Sequence, residues 1–202
     1  ARGAELPPEF WTDPLMYQGG SDSFVGPNEP IYALSEDWGI DLEAEVAIIT
    51  GDVKMGANTD QCAPAIRLLM LVNDWCVHEP ASGAAAGGDD LSAWPATAFS
   101  PVAVTLDELG TAWQRGRLKL PLQVTLNGRP LGACETDIAS LHFGQWLSLL
   151  CRHRALGAGT VLGYAALRSP AQEEGDQLRI EIRSPEGQSL FGAITQTLAL
   201  PA

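Results

Sequence analysis

The stretch "GIDLEAEVAII" at residues 39–49 places two glutamates, Glu43 and Glu45, in a run that is otherwise apolar. Successive side chains of a β-strand point to opposite faces, and residues two apart share a face. The apolar residues at even positions of 42–48 would therefore face a core, and Asp41 would project with the two glutamates from the other face. The stretch predicts a core strand with an acidic face, followed by a turn at "TGD".

A third acid, Asp74, ends the apolar run "LMLVNDW" at residues 69–75. Two carboxylates about 5 Å apart repel by roughly 3 kcal/mol at an effective dielectric constant near 20, and burial makes their ionisation costlier. A divalent cation would compensate, and oxygen ligands favour Mg²⁺, Mn²⁺ or Ca²⁺ over zinc. The alternative is the solvated outer face of an edge strand, with Asp74 capping a turn.

The composition limits the class of protein. The chain has 202 residues, 46% of them hydrophobic, and a formal net charge of −13. We expect one domain over residues 1–202 with a sizeable core. The negative charge argues against nucleic-acid binding, and no apolar run approaches the ~20 residues of a membrane helix. No signal peptide is visible, and scattered cysteines without a CxxC pair indicate reduced thiols in the cytoplasm: Cys62, Cys76, Cys134 and Cys151.

Strands dominate the remaining patterns. Residues 120–132, "LPLQVTLNGRPLG", predict a hairpin with an Asn-Gly turn. Residues 176–199 predict a closing hairpin that turns at "PEG". Residues 61–77 read as a short helix running into a strand, although periodicity alone does not separate the two. The fold class is α+β with a β-rich core.

One segment predicts a longer helix. Residues 138–160, "IASLHFGQWLSLLCRHRALGAGT", have apolar side chains near helical spacing, and Gly157 would end the helix. His142 and His153 would then share a face. Residues 80–93 are small and rich in glycine, which predicts a mobile loop.

Four segments in a fixed order resemble the fumarylacetoacetate hydrolase family over nearly the whole chain: "DPLMYQGGSDSF" (13–24), "WGIDLEAEVAIITGDV" (38–53), "LMLVNDW" (69–75) and "PATAFSPVAVT" (95–105). The resemblance implies the β-rich α+β fold of that family's C-terminal domain, a divalent cation, and a homodimer. It also implies hydrolysis, decarboxylation or isomerisation of a small oxo-acid, such as an acylpyruvate or a fumarylacetoacetate-like compound.

The resemblance also assigns roles to residues. It implies that Glu43, Glu45 and Asp74 are metal ligands and that Tyr17 lies near the substrate. Mg²⁺ is the first expectation, with Mn²⁺ or Ca²⁺ as alternatives. The cation would act as a Lewis acid on adjacent oxygens of the substrate. His78 stands where the family has an arginine; it would contact the substrate or be an ordinary loop histidine.

The chain also departs from the family pattern. Trp94 replaces a lysine, Ala166 stands at a substrate-binding threonine position, and the family's fourth carboxylate and catalytic histidine fall before this chain's first segment. We therefore expect the N-terminal part of the family to be missing. The leading interpretation is a metal-dependent enzyme. The alternatives are a catalytically silent homologue that serves as a scaffold or oligomer partner, and a small-molecule binding module that still uses the metal.

Overall fold

The computed structural model describes residues 16–77, 93–136, 141–169 and 173–200. Their helices are two short segments, α1 (Thr59–Cys62) and α2 (Phe143–Leu150). The remaining regular structure is a set of strands and a few 3₁₀ turns, which gives the predicted α+β class with a β-rich core. The strands are β1 (Phe24–Val25), β2 (Ile31–Tyr32), β3 (Ile40–Thr50), β4 (Ile66–Val77), β5 (Ala96–Phe99), β6 (Val104–Thr105), β7 (Trp113–Gln114), β8 (Arg117–Leu118), β9 (Pro121–Leu126), β10 (Arg129–Glu135), β11 (Val161–Ser169), β12 (Gln177–Ile182) and β13 (Ile194–Ala199).

The first sheet has the strand order β1-β5-β4-β3-β11, with β6 also paired to β4. Its two longest strands, β3 and β4, are antiparallel neighbours. Four even-numbered apolar residues of β3 are fully buried in the main core: Leu42, Ala44, Val46 and Ile48. Ile40 is buried in a second apolar cluster. The strand predicted from residues 39–50, and the orientation of its apolar face, are confirmed.

The second sheet has the order β10-β9-β12-β13-β2. Strands β9 and β10 form the predicted hairpin, and Asn127 and Gly128 turn it with φ angles of 51° and 74°. Positive φ at both central residues is the geometry of a type I′ turn, which matches the twist of the flanking strands. Strands β12 and β13 form the predicted closing pair.

A buried hydrogen bond joins the two sheets. The Asn73 side-chain amide on β4 donates to Gln196 Oε1 on β13 over 2.8 Å, and the Gln196 amide donates to the Glu29 carbonyl oxygen over 3.0 Å. Asn73 and Gln196 are almost completely buried. Since buried amides are costly without partners, this pair fixes how β4 and β13 face each other.

The predicted long helix is wrong in its extent. Helix α2 begins after His142 and ends at Leu150, with Cys151 as its C-terminal cap. The chain then turns so that Leu156 pairs with Val53 in an isolated β-bridge. That pairing overrides the helical pattern beyond Cys151, so Gly157 does not end the helix. His153 lies outside it and shares no helical face with His142.

Residues 61–77 form the predicted short helix followed by a strand. Asn58 caps α1 by accepting a hydrogen bond from the Gln61 backbone, and β4 starts after a 3₁₀ turn over Ala63–Ala65. His78 and nearly all of the predicted 80–93 loop lie outside the described residues. Among the helices that are described, none has the length and apolar character needed to cross a membrane.

Candidate metal centre

The pairing of β3 with β4 brings the predicted acids to one face of the first sheet. Asp41 pairs with Cys76 and Ala44 with Asn73, so Glu43 lies opposite Asp74 on the neighbouring strand. Glu43, Glu45 and Asp74 are only 6%, 7% and 6% exposed. The alternative of a solvated edge strand is wrong, because β3 is flanked on both sides and Asp74 lies within β4 rather than at a turn.

Glu45 is the most isolated of the three acids. Within the described part of the chain, its carboxylate has no hydrogen-bond donor and no cation as a partner. Burial, together with the negative charges of Asp74 and Glu43, raises the pKa of Glu45 well above its usual range. A buried carboxylate in this state is uncompensated, which is the condition that a bound cation would relieve.

Glu43 is partly compensated. Burial raises its pKa, Arg168 opposes that rise, and Asp74 adds to it. Arg168 Nη1 lies 3.4 Å from Glu43 Oε1, and the same guanidinium donates from Nε to Asp41 over 2.7 Å and from Nη2 to Cys76 Sγ over 3.1 Å. The Arg168 side chain remains 45% exposed, so this cation is also accessible from solvent.

Arg168 reaches the acidic face because of a β-bulge. Strand β11 pairs with β3 in regular register up to Ala165 opposite Glu45, and then Ala166 is skipped so that Leu167 pairs with Ala44 and Arg168 with Glu43. A bulge inserts one residue and changes which face later side chains occupy. Sequence reasoning missed Arg168, since only the bulge turns it toward Glu43. Ala166, the predicted substrate position, packs against the main core.

Asp74 is held by two hydroxyl groups. Tyr17 Oη donates to Asp74 Oδ2 and Thr97 Oγ1 donates to Asp74 Oδ1, each over 2.6 Å. The Tyr17 ring stacks on Trp94 with centroids 4.4 Å apart. Burial, followed by the charge of Glu45 and the hydrogen bond to Asp74, raises the pKa of Tyr17. Tyr17 is therefore a neutral donor that orients the Asp74 carboxylate.

A glycine makes room for Glu45. On β11, Gly163 pairs with Ala47, and a Cβ atom built on Gly163 would collide with Glu45 Oε2. The carboxylate thus occupies the space that any other residue at this position would fill with its side chain. Gly163 is a second residue of the site that the sequence pattern alone did not single out.

The donor set fits a hard divalent cation in its chemistry. All three acids offer oxygen ligands, and Glu45 has no competing partner among the described residues. In the described ranges, however, no three Asp, Glu, His or Cys side chains are already gathered around one point that could hold an ion. Metal binding would therefore require side-chain rotations that bring these carboxylates together.

The fold and this face define a β-rich α+β domain with a buried carboxylate cluster on one sheet. The family model of the fumarylacetoacetate (FAA) hydrolase C-terminal domain matches residues 1–199. The chain belongs to this family.

Three solved structures show the same fold. A 5-carboxymethyl-2-hydroxymuconate delta-isomerase from Mycobacterium smegmatis is 18% identical with a TM-score of 0.68, covering 89% of this chain and 66% of its own. A 2-hydroxyhepta-2,4-diene-1,7-dioate isomerase from Mycobacterium marinum is 20% identical, with a TM-score of 0.65 and coverage of 89% and 66%. A maleylpyruvate hydrolase from Sphingobium sp. SYK-6 is 15% identical, with a TM-score of 0.71 and coverage of 91% and 63%.

The chain spans slightly less than two thirds of the length of these three proteins. At such low identities the likeness shows the fold, and the isomerase and hydrolase names describe those proteins. A comparison with curated proteins gives no match.

Proposed function

We propose that this chain is a divalent-metal-dependent enzyme that acts on a carbon–carbon bond next to the oxo group of a small oxo-acid. Hydrolysis, decarboxylation and isomerisation all belong to this class. The observation that carries the proposal is the Glu45 carboxylate, which is buried beside Glu43 and Asp74 and lacks a compensating partner among the described residues. The family and the enzyme names of its structural neighbours support the same class.

Glu43, Glu45 and Asp74 would hold the cation, with Mg²⁺ as the first choice and Mn²⁺ or Ca²⁺ as alternatives. When bound, such an ion supplies Lewis-acid polarisation of the substrate oxygens. The protein groups around the acids have their own tasks. Tyr17 and Thr97 keep Asp74 oriented through their hydroxyl groups. Donors of this kind, which hold a metal ligand in place, typically change metal affinity by 10–100-fold when removed.

Arg168 would bind the carboxylate of the oxo-acid. Its guanidinium lies beside Glu43 and is partly exposed, and it already forms an ion pair with the carboxylate of Asp41. Arginine matches a carboxylate through parallel N–H donors. The substrate would thus be anchored at its acid end while its oxo group lies toward the carboxylate cluster.

Calorimetric titration with Mn²⁺ tests the proposal. We expect one saturable site in the wild type and a loss of binding in Glu43→Gln. Glu181→Gln is the matched control, because Glu181 is a buried glutamate of the other sheet that already pairs with Arg179 and Arg183. Absence of Mn²⁺ binding in the wild type would contradict the proposal. Turnover of acetylpyruvate, followed by ultraviolet absorbance, then separates an enzyme from a module that binds metal and ligand without reacting.

The contacts of Arg168 favour a second candidate, a catalytically silent scaffold. Arg168 neutralises part of the acidic face without any metal, and the described acids are not gathered around one point. In that case Mn²⁺ would have no effect on the melting temperature. The expected homodimer and the cytoplasmic location are predictions from the sequence, and sedimentation of the purified chain tests the former.

A further inference from the structure

A small cavity opens next to the acidic face. It has a volume of about 160 Å³ and lies between the segment that precedes β1 and the start of β5, lined chiefly by Asp22, Ser23, Trp94, Pro95 and Thr97. An engineered cavity of roughly this size, about 150 Å³, accepts benzene in another protein. The space therefore suits one six-membered ring or a short branched chain.

Two residues connect the cavity to the carboxylates. Thr97 lines the cavity and donates its hydroxyl hydrogen to Asp74. Trp94 also lines it and stacks on Tyr17, which donates to the other oxygen of Asp74. The cavity therefore adjoins the acidic face, and a ligand whose reactive atoms lie at the acids would have its far end near this cavity.

The cavity walls are unsuited to an anion. The described residues that line it include no lysine, arginine or histidine, and their single charged side chain is the carboxylate of Asp22. The faces of Trp94, Pro95 and Ala96 are apolar. A carboxylate placed here would lose hydration and meet a like charge, and both effects oppose binding. An aromatic ring would instead find a stacking surface.

The positive charge lies at the opposite side of the acidic face. Arg168 is on β11, whereas the cavity is at the β5 side, and β3 and β4 with the three acids lie between them. Neighbouring strands are about 4.8 Å apart. The order along the face is thus a cation, then the carboxylate cluster, then a pocket whose described lining has no cation. A molecule that matches this order has a carboxylate at one end, oxo groups in the middle and an uncharged tail.

We propose that the substrate is a monocarboxylate oxo-acid whose tail is uncharged and about the size of an aromatic ring, and that dicarboxylates with an acidic tail are rejected. This inference rests on the proposed function, and it adds the substrate class. Asp22 and Trp94 are the residues that determine the preference.

Two ligands that differ by one group test it: benzoylpyruvate and its para-carboxylated analogue, titrated calorimetrically into the Mn²⁺-saturated wild type. We expect benzoylpyruvate to bind about tenfold more tightly, since the second carboxylate loses hydration and faces Asp22. In Asp22→Lys the ratio of the two dissociation constants should fall about fivefold, because a cation replaces the carboxylate that faces the second carboxylate of the analogue; this is the size expected for an exposed charge pair. Glu186→Lys makes the same change of net charge in an exposed turn of the other sheet and should leave the ratio unchanged. Trp94→Leu should weaken benzoylpyruvate about fivefold or more by removing the stacking surface.

Equal or tighter binding of the carboxylated analogue would overturn the inference, as would failure of both ligands to bind. A ratio that shifts equally in Asp22→Lys and Glu186→Lys would also overturn it, because overall charge rather than the cavity would then set the preference. The Mn²⁺ titration keeps the two proposals apart. A wild type that binds Mn²⁺ but prefers the dicarboxylate contradicts the substrate class alone, whereas a wild type that does not bind Mn²⁺ contradicts the proposed function.

Discussion

Replacing Glu45 by glutamine should make the metal-free protein more stable. Glu43 and Glu45 are two residues apart on one strand face, which places them about 7 Å apart. Two unit charges at that distance repel by about 2.4 kcal/mol at an effective dielectric constant of about 20. The buried glutamine amide would lower the free energy of unfolding by about 1 kcal/mol, because its hydrogen bonding would be imperfect. We therefore expect the free energy of unfolding to rise by about 1.5 kcal/mol.

Thermal unfolding at pH 7.5 in the presence of a chelator measures this gain. For a chain of this size, about 1.5 kcal/mol corresponds to a rise of roughly 3–6 °C in melting temperature. The pH dependence has a defined sign. Because the pKa of Glu45 is raised in the folded state, wild-type stability falls as the pH rises above the unfolded glutamate pKa of about 4.3. The Glu45→Gln protein should not show that part of the decrease in stability, because glutamine does not ionise.

The same substitution should have the opposite effect when metal is present. Mn²⁺ at about 100 times its dissociation constant stabilises a protein that binds it by about 2.7 kcal/mol. We expect that stabilisation in the wild type and its loss in Glu45→Gln. Glu181→Gln is the control of opposite sign, since it removes the negative charge that pairs with Arg179 and Arg183 and should lower stability while keeping the Mn²⁺ effect. A metal-free Glu45→Gln protein that is less stable than the wild type would refute the reasoning.

Three further results follow from the structure. Gly163→Ala should weaken Mn²⁺ binding at least tenfold by displacing the carboxylate that it abuts, whereas Gly157→Ala, whose Cβ would meet open space, should not change Mn²⁺ affinity in the same titration. Asn73→Ala should lower the free energy of unfolding in urea by about 1–3 kcal/mol, because it leaves the buried Gln196 Oε1 without its donor; an unchanged midpoint would contradict this. Burial raises the pKa of the Cys76 thiol to about 12, so iodoacetamide at pH 8 should label it in urea but hardly at all in the native protein, as measured by peptide mass spectrometry.

Local signals in the sequence were sufficient for most of the fold. The alternation in β3 and the Asn127-Gly128 turn depend on nearest neighbours, and the structure has both as predicted. Helix α2 was overextended because its end depends on a contact far away in sequence, the bridge between Val53 and Leu156. Helical spacing within residues 138–160 carries no information about that partner.

The site shows the same division between local and non-local information. The shared face of Glu43 and Glu45 follows from the period of a strand. Asp74 is a candidate from its place in the apolar run 69–75, and the family resemblance implies its role as a metal ligand. Their burial and mutual register became visible in the paired strands. The roles of Thr97, Gly163 and Arg168 could not be read from spacing, because each depends on a neighbouring strand. The contact of His78 with the substrate stays a prediction.

The bulge at Ala166 has a consequence for how this charge balance could change over evolutionary time. Deleting Ala166 would leave Leu167 opposite Ala44 and Arg168 opposite Glu43 in an unbroken ladder. A strand that straightened with Ala166 retained would instead place Leu167 beside the acids and turn Arg168 toward the main core. In that second arrangement the acidic cluster would lose the nearby guanidinium without any acid, or the arginine itself, being mutated. The charge balance of this sheet face therefore depends on whether residue 166 stays outside the ladder, as well as on which residues are charged.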